Sequence, residues 1–344
     1  MVVLGTDAHK RNHTVVAADE AGVEVGSTTV TATPEGHLKL VKWAARWPER
    51  RWAIEDCRQL SRRLETDLLK VGELVVRVPP KMMAGVRRSA RTRGRSDPID
   101  ALAVARAALR EPDLPVAQLD GPSRELRLLV DYRESVVKDR TAAQNRLRWR
   151  LHELEAGYDP PAGSLNRYKT LDGIDELLTV HTSMVAELGR REVIRIRELT
   201  REANQLERDI SRRVSQLAPT LLEIPGCGAL TAAKLVGEAA DITRFKNRDA
   251  YAMWAGTAPI PVWSANNQRF RLNRGGNRQT NAAIHRIAIT QLRIHPDAQT
   301  FIARRIEGGS TKREALRLLK RKLANVVYRT LLNDTQQPVL ADAA

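Results

Sequence analysis

The chain has 344 residues, 42% hydrophobic and 28% charged, which suits two or three folded domains and excludes a disordered or fibrous protein. No apolar run approaches the ~20 residues of a bilayer-spanning helix. The two cysteines, Cys57 and Cys227, fit no metal or disulfide pattern, so a reducing cytoplasm without a membrane is the expected setting. The net charge is +16 and 45 of the 57 basic residues are Arg, whose planar donors match phosphate oxygens in pairs; the expected partner is a polyanion, nucleic acid first.

The opening MVVLGTDAHK reads as a strand rather than a leader. Strands are expected over 2–8, 14–18 and 23–30, then a helix with Thr33 as N-cap and Pro34 at its first position, running towards Trp47. A strand at 51–55, a helix to about Lys70 and a strand at 73–78 follow, ended by Pro79-Pro80. Three strands followed by alternating helices and strands give the order of a ribonuclease-H-like α/β domain. An Arg-rich stretch over 87–95 leads into a helix from Asp97 to about Arg110.

From Ser123 to about Leu217 the pattern is helical. Leu199, Ala203, Leu206, Ile210, Val214 and Leu217 recur at steps of three and four, and a Pro/Gly-rich break falls near Gly157–Gly163. This reads as a long antiparallel hairpin of helices, a spacer and dimerisation arm or else a plain bundle. The remainder holds IPGCGALTAAKLVGE, a Gly/Asn/Arg-rich stretch at 256–281 and a basic amphipathic helix at 311–332. The expected domains are 1–120, an arm at 121–218, a mainly helical domain at 219–335, and a tail at 336–344.

Asp7 lies within the first strand, Glu55 at the end of the fourth, and Asp97 and Asp100 one helical turn apart on one face. In a ribonuclease-H-like sheet strands one and four are neighbours, so the four carboxylates can converge. Such acids repel one another unless divalent cations neutralise them, and oxygen donors favour Mg²⁺, or Mn²⁺. Two of the acids have plainer readings, Asp97 as a helix N-cap and Glu55 as a solvated strand end with Asp56 the ligand, whereas Asp7, a carboxylate among strand residues, needs a partner. His9, His13 and His285 match no ligand set, and Trp43, Trp47 and Trp52 read as packing residues.

Gly226 and Gly228 in PGCG, before ALTAA, fit a helix-hairpin-helix whose backbone N–H groups face a phosphate, or an ordinary glycine connection. Ser264 is followed by Arg269, Arg271, Arg274 and Arg278, dense enough for a phosphate pocket. By spacing alone a serine beside arginines is a hydrogen-bonding residue. Lys312, Arg313, Arg317, Lys320 and Arg321 give the last helix a face suited to phosphates.

Taken together, Asp7, Glu55, GRSDPIDA (94–101), PGCGALTAA and GTAPIPVWS…RLNRGGNRQ resemble the DEDD transposases of the IS110 insertion-sequence family, over residues 1 to about 333. The resemblance implies an α/β plus α fold: a RuvC-like N-terminal domain, a coiled-coil arm, and a C-terminal transposase domain. It implies metal ligation by Asp7, Glu55, Asp97 and Asp100, and a nucleophilic Ser264 that holds DNA as a phosphoserine ester. It further implies a composite site formed between subunits of a dimer that assembles to a tetramer. The implied partners are target and donor duplex DNA and a structured bridge RNA that selects sequence. Relatives often carry Ser-Ser-Gly where this chain has Trp263-Ser264-Ala265, a departure that removes the glycine beside the serine. The alternatives are a RuvC-like metal-dependent nuclease or resolvase of branched DNA that needs the acids but not Ser264, and a binding protein with a decayed site.

Overall fold

The computed structural model describes residues 1–55, 60–79, 82–83, 96–111, 114, 116–119, 121–264, 267–271, 273 and 275–336. The Arg-rich stretch at 87–95, Asp56, Cys57, Arg274 and the tail beyond 336 lie outside the described residues. The chain divides into two compact units, Met1–Asp120 and Gly121–Ala344. Among the described residues no helix is long and apolar enough to cross a membrane.

The first unit is built on a five-stranded sheet in the order β3-β2-β1-β4-β5. The strands are β1 (Val2–Ala8), β2 (Asn12–Ala18), β3 (Glu24–Thr31), β4 (Arg50–Glu55) and β5 (Val75–Val78). β1–β2–β3 form an antiparallel meander, with Asp7 opposite Thr14. β4 then runs parallel to β1, with Thr6 beside Ile54, and β5 runs parallel to β4. This mixed order is that of a ribonuclease-H-like sheet. β2 begins two residues earlier than the sequence indicates, and β5 begins at Val75 rather than residue 73.

Strand alternation sorts the core into two layers. Leu4, Val15, Ala17, Trp52 and Ile54 face α1 (Pro34–Ala44) and α2 (Arg62–Lys70), where Leu40, Leu64 and Leu68 complete one cluster. Val3, Ala18, Ala53 and Val76 face α3 (Asp97–Arg110), which supplies Ala103, Val104, Ala107 and Ala108. Thr33 caps α1 by accepting from the Gly36 N–H, as expected, but the helix stops at Ala44, short of Trp47. Trp52 is fully buried and its indole N–H donates to Glu73 at 2.9 Å. Trp43 and Trp47 pack edge to face at the end of α1.

α3 approaches β1 backbone to backbone at Gly5. A Cβ on Gly5 would lie 2.1 Å from the Ala101 carbonyl oxygen and 2.5 Å from the Ala105 nitrogen. Glycine on the strand and alanines on the helix let the two backbones meet, and the first turn of α3 then overhangs the carboxyl end of β1.

In the second unit α4 (Pro122–Leu154) and α6 (Met184–Leu217) are long antiparallel helices. At 33 and 34 residues each is about 50 Å long. Ala186, Gly189, Val193, Ile196, Thr200, Ala203, Ile210 and Val214 form the buried stripe of α6 at steps near 3.5 residues. Cross-links at Arg146–Glu192, Arg133–Glu207 and Arg213–Glu125 fix the antiparallel register. The Pro/Gly break near 157–163 is followed by a short helix, α5 (Tyr168–Thr179), packed against the distal end of the pair.

The proximal end shares its core with the rest of the unit: Leu126, Val130, Ile210 and Val214 belong to the same cluster as Leu235, Tyr251, Ile284, Leu323 and Val327. That cluster is enclosed by α7 (Ala229–Ala239), α8 (Arg248–Trp254), α9 (Arg278–Ile294), α10 (Pro296–Glu307) and α11 (Lys312–Gln336). One feature departs from the mainly helical expectation: β6 (Ile260–Ser264) and β7 (Asn267–Arg271) form an antiparallel hairpin.

Candidate active site

The acids gather at the carboxyl end of the central strands. Asp7 lies at the end of β1, on the face that α3 covers, and is 8% exposed. Since Thr6 pairs with Ile54 in parallel register, Glu55 follows on the adjacent strand beside Asp7 and leaves the sheet on the same face. From α3, Asp97 and Asp100 enter on the first helical turn. The N-cap of α3 is Ser96, not Asp97, and Ser96 makes no side-chain capping bond; Asp97 is therefore the first helical residue, which corrects the capping reading.

His9 completes the cluster. Its Nε2 lies 3.0 Å from Asp7 Oδ2 and 3.5 Å from Asp97 Oδ1. One ligand atom from each of Asp7, His9 and Asp97 falls within 4.8 Å of the others. His9 thus corrects the expectation that it joins no ligand set. The signal was present in the sequence: two residues beyond a strand carboxylate, a side chain returns to the same face.

Burial raises the Asp7 pKa above the ordinary carboxylate value; His9 offsets this in part, and the charges of Asp100 and Asp97 add to it. A buried carboxylate facing two more acids is in the electrostatic state that a divalent cation relieves. The donor chemistry fits such an ion, with carboxylate oxygens and one imidazole nitrogen available.

On the opposite face of the sheet two further histidines are buried. His13 and His37 stack with ring centroids 5.2 Å apart, and His37 Nδ1 lies 2.6 Å from Asp67. Burial, aided by the charge of His37, pulls His13 down to about 4.

In the second unit Ser264 is the last residue of β6, paired in register with Asn267 at the tip of the hairpin. The side chains of Ser264 and Arg269 are outside what the structure describes; Arg271 and Arg278 are exposed. Backbone contact closes the base of the hairpin. A Cβ on Gly276 would lie 2.2 Å from the Gly256 nitrogen, and Gly256 itself has φ +68°. Asn281 Nδ2 donates to the Ala255 and Gly256 carbonyls, and Asn277 N donates to the Trp254 carbonyl at 2.6 Å.

The PGCG turn follows a short 3₁₀ turn (Pro219–Glu223), and Gly228 is the N-cap of α7. Gly226, at φ +84°, lies against α9, where an added Cβ would meet Thr290 at 3.0 Å; nothing crowds Gly228. On α11, Lys312, Arg313 and Arg317 are exposed. Lys320 is not on that face. It is 9% exposed and donates to Asn281, and burial lowers its pKa. Arg321 is engaged with Asp249 and Asn325. Cys227 is a free, buried thiol.

The chain is similar over 95% of its length to the 44.8 kDa protein of insertion element IS116 from Streptomyces clavuligerus, at 26% identity and covering 94% of that protein. It is 23% identical to the 42 kDa protein of insertion element IS900 from Mycobacterium paratuberculosis, covering 96% of this chain and 95% of that one. Among solved structures, RuvC of Thermus thermophilus aligns at 17% identity with a TM-score of 0.27, covering 34% of this chain and all of that one. RuvC bound to a Holliday junction substrate aligns with a TM-score of 0.25, covering 32% of this chain and 94% of that one. Residues 4–155 match the DEDD transposase model of the IS110 group, and residues 218–303 match the transposase model of the IS116/IS110/IS902 family. On these two matches the chain belongs to the IS110 family of transposases, and with it to the enzymes that cut DNA.

Proposed function

We propose that this transposase cuts and rejoins DNA through a covalent serine intermediate, with Ser264 as nucleophile and Asp7, Glu55, Asp97 and Asp100 as the acids that hold Mg²⁺ or Mn²⁺. The observation that carries the acidic half is the convergence of Asp7, His9 and Asp97, with Asp100 near enough to perturb Asp7, at the end of β1. The serine half is supported by the family match over 218–303, which contains Ser264, and by the rigid glycine–asparagine base beneath its hairpin. A bound cation would supply charge neutralisation at a scissile phosphate. In the step itself the Ser264 hydroxyl gives up its proton and its oxygen bonds to phosphorus as a phosphorus–oxygen bond to a deoxyribose breaks. The departing sugar oxygen takes up a proton, and attack by another strand's hydroxyl reverses the step and frees the serine.

Conservation of the phosphodiester in this exchange explains joining without an energy source. In this reading the acids of one copy and the serine of another act on one phosphate within a dimer that pairs to a tetramer, with the α4–α6 helical pair as spacer. Sequence choice is delegated to a structured bridge RNA pairing with target and donor DNA. A chain of charge +16 whose exposed cations include Arg271, Arg278, Lys312 and Arg317 suits that role, since such residues grip backbones without reading bases. A strand-transfer assay on supercoiled donor DNA tests the proposal. Both Ser264→Ala and Asp7→Ala abolish joining if it holds; a Ser264→Ala protein that still cleaves identifies a metal-dependent nuclease without covalent intermediate.

A further inference from the structure

The serine-bearing hairpin is tied to the long helical pair by a buried polar clasp. Glu238, on α7, has a side chain only 3% exposed. Its Oε2 accepts from Asn277 Nδ2 at 2.6 Å, and its Oε1 lies 3.6 Å from Arg127 Nη2 at the root of α4. Asn277 has two further engagements: its backbone N–H closes the hairpin base onto Trp254, and its Oδ1 caps α9 by accepting from Thr280 N at 2.9 Å. A second link runs alongside, where Lys234 of α7 donates to Glu134 of α4 and, at 2.8 Å, to Gln279 in the first turn of α9.

Packing enforces the first link. A Cβ on Gly237 would lie 2.9 Å from Arg127 Cβ and 3.0 Å from its Cα, so α4 and α7 touch next to Glu238. A buried carboxylate with two committed partners resists displacement, because each lost partner leaves a buried charge or donor unpaired. The clasp therefore couples α4, α7 and the start of α9.

We propose that Glu238 is a positioning residue for the recombination step: through Asn277 and Arg127 it fixes the segment that closes the base of the β6–β7 hairpin relative to the α4–α6 pair. This rests on the reading of Ser264 as nucleophile. Glu238→Gln keeps the size and the acceptor towards Asn277 but removes the charge that faces Arg127. Asn277→Ser keeps the α9 cap, since serine caps helices well, yet is too short to reach Glu238.

The test is the rate constant for covalent protein–DNA adduct formation on a nicked suicide duplex, measured beside DNA affinity and thermal stability. For Glu238→Gln and Asn277→Ser the rate constant falls about 10- to 100-fold, as expected when a reacting group is misplaced by about 1 Å, while the Kd for the same duplex stays within about twofold. Arg127→Met produces the same loss and is non-additive with Glu238→Gln, and Arg127→Lys recovers most of the rate. A residue with a merely structural role would instead lower the melting temperature and the reactive fraction and leave the rate constant of that fraction unchanged; this result overturns the proposal. Wild-type rates in the folded variants overturn it as well. Ser264→Ala, run in parallel, separates the two claims: adduct that persists in it refutes the nucleophile itself, whatever the clasp variants do.

Discussion

Gly5→Ala strikes the contact that seats the acidic cluster. The new Cβ would lie 2.1 Å from the Ala101 oxygen, 2.5 Å from the Ala105 nitrogen and 2.8 Å from the Ala105 Cβ. Ordinary contact needs roughly 3.5 Å, so α3 must lift from the sheet by about 1 Å or more. Overpacking of this kind costs about 1–3 kcal/mol, within what a domain of ordinary stability, about 5–15 kcal/mol, survives. The first unit stays folded, but Asp97 and Asp100 ride on the displaced helix. A 1 Å error at a reacting centre costs on the order of 10²-fold. Gly5→Ala is therefore expected to cut strand transfer about a hundredfold and to shrink the Mn²⁺-induced rise in melting temperature, with the circular dichroism spectrum of the folded protein unchanged. Wild-type joining together with a wild-type Mn²⁺ response in Gly5→Ala would refute the claim that this helix–strand contact sets the cluster.

Other outcomes follow from the same geometry. His13 resists protonation down to about 4 in the fold, whereas a free imidazole takes a proton near 6.5. Its contribution is complete above pH 6.5 and is lost as pH falls towards 4, by on the order of 3 kcal/mol. His13→Gln should flatten that part of the acid limb in thermal melts. Asp7 has the opposite sign: its raised pKa favours the neutral form, so the metal-free site gains stability as pH falls and loses it as pH rises. Mn²⁺ needs the carboxylate, so its stabilisation measured by calorimetry weakens as pH falls into the range where Asp7 takes up its proton, and it vanishes in Asp7→Asn. Lys312→Ala and Arg317→Ala should each reduce the slope of log affinity for DNA against log salt by about 1, whereas the buried Lys320→Met leaves the slope unchanged.

Much of this was legible in the sequence because strand and helix periods carry it. The strand order β1–β5 and the spacing of Asp97 and Asp100 follow from alternation and from one helical turn. Lys320 was legible too: it stands three, four and seven residues before Leu323, Ala324 and Val327, within the buried stripe of α11, yet the density of nearby charge reads as an outer face. His9 was missed because it stands one residue past the end of β1, although the strand's alternation, carried two residues on from Asp7, already returns it to the same face. The β6–β7 hairpin was hidden by its composition, since the Gly, Asn and Arg of 256–281 read as a loop. What shapes it is long-range: Gly276 against Gly256, and Asn277 against Glu238, contacts between residues that no local pattern links.

The most direct test of the account is to trap the reaction on a suicide substrate with Mn²⁺, digest the complex and locate the nucleotide by mass spectrometry. The account predicts phosphonucleotide on the peptide that contains Ser264, absent in Ser264→Ala and in Asp7→Asn, and restored when those two inactive proteins are mixed. Cleaved DNA with no protein attached, at full rate in Ser264→Ala, would contradict it.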